Sequence, residues 1–132
     1  MNTNLIMAIC AISMALVGIS ASFAPGEILV LLSIPALYSA TLLIQIMGAM
    51  YFAFAMINWL AKDNLIGGIY GKPIALGNFA HFSISFLALI KTYDLFSHSL
   101  IFWLITVTYF IFSVILGYIT FVSPVKSKDA EQ

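Results

Sequence analysis

Three side chains with hydrogen-bonding chemistry, Asn58, Asn78 and His81, sit in stretches of the chain that are otherwise hydrocarbon. Asn58 precedes the charged pair Lys62 and Asp63 by one turn, and Asn78 and His81 follow Lys72 within the first turns of the next apolar run. Two antiparallel helices joined between these runs would hold all three at a similar depth. Asn78, His81 and Ser85 share a helical face at i, i+3 and i+7. On the preceding run, Gln45, Gly48, Ala49, Phe52, Ala55 and Asn58 are expected on roughly one face, with both amides turned inward. Amides and imidazoles at membrane depth need partners, because lipid offers none. Asn58, Asn78 and His81 are expected first as an interhelical polar cluster that packs two helices together. The alternative is a ligand-binding set of Gln45, Asn58, Asn78 and His81.

Other chemistry is scarce. Glu27, Asp63 and Asp94 are isolated at the ends of apolar runs, Asp129 and Glu131 belong to the polar end "KSKDAEQ", and no nucleophile stands beside a base. No catalytic residue is assigned, and the expectation is a non-enzymatic protein. Cys10 is the one cysteine, which excludes an intrachain disulfide, a tetrahedral cysteine–zinc site and a CxxC pair; it reads as a small buried hydrophobe. His98 is the other histidine. It follows His81 by 17 residues, about 25 Å along a helix, too far for both to ligate one haem within a single chain. The stretch "KDNLIGGIYGKP" (62–73) brings Gly67, Gly68, Gly71 and Lys72 together. It departs from the phosphate-binding loop, since three residues separate Gly67 from Gly71 and Pro73 stands where a hydroxyl is needed. A turn closing a helical hairpin is expected there, with Lys62 and Lys72 near anionic head groups. No cofactor or metal is implied.

The elements that must position these residues follow from composition. Of 132 residues, 63% are hydrophobic and 8% charged, and the mean hydropathy is +1.11. A soluble domain is roughly a quarter charged. Five lysines balance five carboxylates and arginine is absent, so nothing points to nucleic acid. Four uncharged runs, 1–26, 28–61, 73–90 and 95–125, each hold about the 20 residues that cross a bilayer core. They predict an all-α, integral membrane four-helix bundle forming a single transmembrane domain, with spans at about 4–23, 37–61, 73–91 and 99–121 and a cytoplasmic tail at 123–132. The second run has 34 residues, more than one crossing needs. Pro35 within it predicts a Pro-kinked or interfacial segment over 26–34 before span two. The first run lacks the basic n-region of a signal peptide, so it is expected to stay as a span.

Lys62, Lys72, Lys126 and Lys128 fall on one side of this topology and Lys91 on the other, which predicts the N-terminus and C-terminus inside. Trp59, Tyr70 and Tyr118 then mark the inner interface, and Tyr93, Phe96 and Trp103 the outer one. Small residues form two stripes, Ala11, Ala15, Gly18 and Ser22 in span one and Thr106, Ser113, Gly117 and Thr120 in span four. Both are expected to be helix-packing seams, with a substrate path along either as the alternative.

The run "LIQIMGAMYFAFAMINWLAKDN" (43–64) resembles the second span of small, uncharacterised bacterial four-helix membrane proteins grouped with DoxX-like proteins, where a similar "Q…GA…NW.A" pattern precedes a cytoplasmic turn. The resemblance implies architecture and no catalytic residues; the chain is expected in the bacterial inner membrane. The leading functional expectation is an accessory subunit, or a binder of a lipid or other hydrophobic ligand, in contact with membrane lipids and with a second copy or a membrane protein partner. A small transporter or channel would use Gln45, Asn58, Asn78 and His81 as a polar site. A redox subunit would contact quinone or haem through His81.

Overall fold

The computed structural model describes residues 3–63, 71–96 and 99–122. The tail 123–132 with Lys126 and Lys128, His98, Tyr70, Gly67 and Gly68 lie outside the described residues. Among the described residues every regular element is helical: α1 (Thr3–Phe23), α2 (Pro25–Leu31), α3 (Tyr38–Ala61), α4 (Lys72–Lys91), α5 (Tyr93–Phe96) and α6 (Leu100–Phe121). Contacts divide the chain into two compact units, Met1–Asp63 and Asn64–Gln132.

In the first unit α1 runs uninterrupted because no proline or charge occurs before Pro25. Pro25 cannot continue α1 but suits the first turn of a new helix, and α2 starts there. Glu27 lies in the first turn of α2, where a carboxylate complements the helix dipole. α2 ends in a Schellman arrangement: the Ser33 amide donates to the Val30 carbonyl at 3.0 Å and the Ile34 amide to Leu29 at 2.9 Å. Ser33 takes the left-handed position, φ 56°, that glycine normally fills. Pro35 lies in the link that follows, its carbonyl accepting from the Leu37 amide at 2.8 Å. The long second run is thus a short helix, a link and a 24-residue helix, with the proline between the two helices.

α1 and α3 pack antiparallel. Asn4 Nδ2 donates to Asp63 Oδ1 at 2.6 Å at one end. Towards the other, a Cβ on Gly18 would stand 2.6 Å from the Phe52 amide nitrogen and 2.9 Å from the Gly48 carbonyl, and one on Gly48 would stand 2.6 Å from the Ser22 nitrogen. The helices therefore meet backbone to backbone, which only glycine permits at these two points. Met7, Cys10, Ala11, Met14, Gly18 and Ala21 form the buried stripe of α1, at the three-to-four spacing of one helical face.

In the second unit α4 starts with Pro73 in its first turn, and α6 is capped by Ser99 Oγ, which accepts from the Phe102 amide at 3.3 Å. Thr92 closes α4, its hydroxyl donating to the Leu89 carbonyl at 3.0 Å. α4 and α6 are also antiparallel, joined by rings. Phe82 stacks on Phe112 with centroids 4.8 Å apart, Phe86 meets Phe110 at 5.1 Å and Phe79 meets Phe121 edge-on at 5.3 Å. Ser83 and Ser113 share a hydrogen bond of 2.7 Å between them. Gly117 accepts the edge of Phe79, which would lie 2.9 Å from an added Cβ.

Among the described residues the large apolar side chains point outward far more often than inward: Leu60 is 74% exposed, Leu104 60% and Ile84 67%. α1, α3, α4 and α6 are 20 to 24 residues long and apolar enough to cross a membrane. A chain that shows hydrocarbon outward along helices of bilayer length is matched by lipid as its solvent. The protein is a multi-pass membrane protein.

Candidate functional site

The four expected polar residues fall in two units, Gln45 and Asn58 in the first and Asn78 and His81 in the second, and each is described within its own. Asn58 is fully buried. Its Nδ2 donates to Met14 Sδ at 3.4 Å and to Cys10 Sγ at 3.5 Å. Cys10 is buried as expected, with its thiol 3.9 Å from Met14 Sδ. A soft sulfur pair on α1 thus receives the amide of α3. This is weak hydrogen bonding, but it faces a polar group that lipid could not satisfy.

Gln45 departs from the expectation: it is exposed, while Gly48, Ala55 and Asn58 are buried. The physical reason is helical drift. Thirteen residues at 3.6 per turn leave Gln45 and Asn58 about 140° apart, so a series of three-residue steps walks around the helix instead of holding one face. The two amides of α3 do not point together.

Asn78 is fully buried on α4 and its Nδ2 donates to the Ile74 carbonyl one turn earlier at 2.9 Å. His81 is half-buried. Its ring lies 5.1 Å from that of Phe82 and 6.0 Å from that of Tyr109, centroid to centroid. It belongs to the aromatic seam of the α4–α6 pair. Thr106, buried on α6, turns its hydroxyl to the Phe102 carbonyl at 2.8 Å, as Thr120 does to Leu116 at 2.7 Å. These hydroxyls donate within their own helix. Among the described residues no three His, Cys, Asp or Glu side chains come together.

A concave feature of the first unit lies elsewhere. Between α1 and α3 runs a groove of about 220 Å³ walled by Ala11, Ile12, Ala15, Phe52, Ala55 and Met56, with Trp59 and Leu60 at one end. Its floor is made by small side chains, and Ile12, Met56 and Leu60 on its rim are more than half exposed. Trp59 carries a charge on its face: Lys62 Nζ stands 3.2 Å from the ring centroid, a cation–π contact. Sequence reasoning took Ala11 and Ala15 first as part of a packing seam. The stripe has two roles, because Gly18 closes the helix crossing whereas Ala11 and Ala15 face Ala55 and leave space. The signal that could have found it is alanine on both helices at matching depth of an antiparallel pair.

No protein-family model, curated protein or solved structure matches this chain.

Proposed function

We propose that this chain is a non-enzymatic protein of the bacterial inner membrane that holds a hydrophobic molecule, in the first instance an acyl chain, in the α1–α3 groove. It would act alone or as the accessory subunit of a membrane complex. The observation that carries this reading is the groove itself: a concave surface with exclusively apolar walls, opening where the surrounding medium is hydrocarbon. The residues from Phe52 to Leu60 span about 12 Å of helix, the length of about ten methylenes. In lipid no hydrophobic force drives such a chain into the groove, since it leaves one hydrocarbon phase for another. Retention must come from dispersion contacts with close walls.

The orientation belongs to the same proposal. It rests on the lysine distribution, with both termini in the cytoplasm, and on the resemblance of 43–64 to DoxX-like spans. In a Cys10→Ser background, cysteine at Asp94 should react with an impermeant maleimide on intact cells, and cysteine at Asp63 only after permeabilisation. The reverse pattern would invert the topology.

Purification in a mild detergent followed by mass spectrometry of extracted small molecules tests the binding function. The expected outcome is one amphiphile near one copy per chain, lost from Ile12→Trp, which fills the groove from its rim. Equal recovery of mixed lipids from both proteins would argue against a binding groove. A visible Soret band would replace the reading with a redox one.

A further inference from the structure

We infer that the groove selects an anionic phospholipid, with one acyl chain between α1 and α3 and the phosphate on Lys62. This inference rests on the groove reading and adds the head group to it.

An apolar groove alone cannot choose among membrane lipids, because all offer similar chains. What distinguishes this one is its end. Trp59 lines the groove and Lys62 Nζ lies over its ring, so a positive charge is held at the mouth and not left on a free tether. Lys62 follows Ala61, the last residue of α3, and the helix ends there. The apolar length therefore stops where the ammonium begins, which is the order of chain and head group in a phospholipid. Tryptophan at the same level is at home in the interfacial region, where phosphates lie.

Among the described residues of the first unit, the other charges at this end leave Lys62 as the deciding one. The α3 carboxyl terminus presents unsatisfied carbonyls, unfavourable to an anion. The α1 amino terminus, at the same end because Asn4 meets Asp63, presents the opposite pole of a 21-residue helix. The acidic neighbour Asp63 is turned to Asn4, its Oδ1 receiving the amide at 2.6 Å. A lysine next to the membrane surface contributes enough attraction to favour an anionic over a zwitterionic head group by about fivefold.

The test is native mass spectrometry of the purified chain titrated with dioleoyl phosphatidylglycerol or dioleoyl phosphatidylcholine, which carry the same chains. The expected result is a single saturable site that prefers phosphatidylglycerol about fivefold. Lys62→Gln should bring the ratio close to one, while Lys62→Arg should keep it. Equal binding of the two lipids by the unaltered protein, or a preference that survives Lys62→Gln, overturns the head-group assignment and leaves the groove standing. Absence of a saturable site for either lipid, or full binding by Ile12→Trp with its thermal stability unchanged, overturns the groove reading itself.

Discussion

The two helix pairs of this protein solve one problem with different materials. Helices in lipid gain little from hiding apolar surface, so they associate by close packing and by polar contacts. The α1–α3 pair packs through glycines: Gly18 and Gly48 bring backbone against backbone, with less space than a methyl group needs. The α4–α6 pair packs through rings, Phe79, Phe82, Phe86, Phe110, Phe112 and Phe121, with the Ser83–Ser113 hydrogen bond between them. Rings fill the space between helices. Glycines and alanines do not, and where the backbones cease to touch, at Ala11, Ala15 and Ala55, a groove remains. The pair that packs through its smallest residues thus leaves room for a ligand beside its seam.

Substitutions can break or sharpen this contrast. The largest effect is expected at Gly18→Leu, whose side chain would have to displace the backbone at Phe52 and Gly48; a loss of about 1–3 kcal/mol should appear as a lowered unfolding temperature in detergent. An unchanged temperature would mean that α1 does not touch α3 there. Gly117→Ala is expected to cost about 1 kcal/mol at most, at the low end for overpacking, because the obstacle is a phenyl edge that can rotate away. A loss as large as that at Gly18 would erase the distinction between the pairs. Ser83→Ala removes one interhelical hydrogen bond and should cost about 0.6 kcal/mol, the usual value within membranes, read by the same melt. The smallest effect lies away from both seams. Ser33→Gly relieves a left-handed residue but frees the unfolded chain, leaving a net gain of about 0.5 kcal/mol. A loss would show that the Ser33 side chain contributes more than its backbone costs.

How much of this was legible follows from what each signal depends on. The four long helices were legible because charge and proline interrupt the hydrocarbon: α1 stops before Pro25, α3 before Lys62 and Asp63, and α4 lies between Lys72 and Lys91. The separation of α2 from α3 was half legible. Pro35 announced an interruption, but the stop itself is made at Ser33, a residue with no strong preference for positive φ. Gly18 was legible as a close approach because small residues at helical spacing are a local pattern. The sulfur contacts of Asn58 were not. Cys10 and Met14 lie 48 and 44 residues away, and their sulfurs carry no sequence mark as acceptors. Gln45 was misplaced by adding three-residue steps without correcting for 3.6 residues per turn. The groove escaped notice because a void is made by what is absent from two helices at once, whereas a sequence pattern describes one.

The claim that matters most is that lipid chains occupy the α1–α3 groove specifically and do not merely coat the protein. A phospholipid with a photoreactive group midway along its acyl chain, reconstituted with the purified protein, illuminated and mapped by peptide mass spectrometry, tests it most directly. The account predicts labels concentrated at Ile12, Ala15, Phe52 and Met56, and their loss at Ala15 and Phe52 in Ile12→Trp. Labels spread over the exposed faces of α1, α3, α4 and α6 in proportion to their exposure would contradict it.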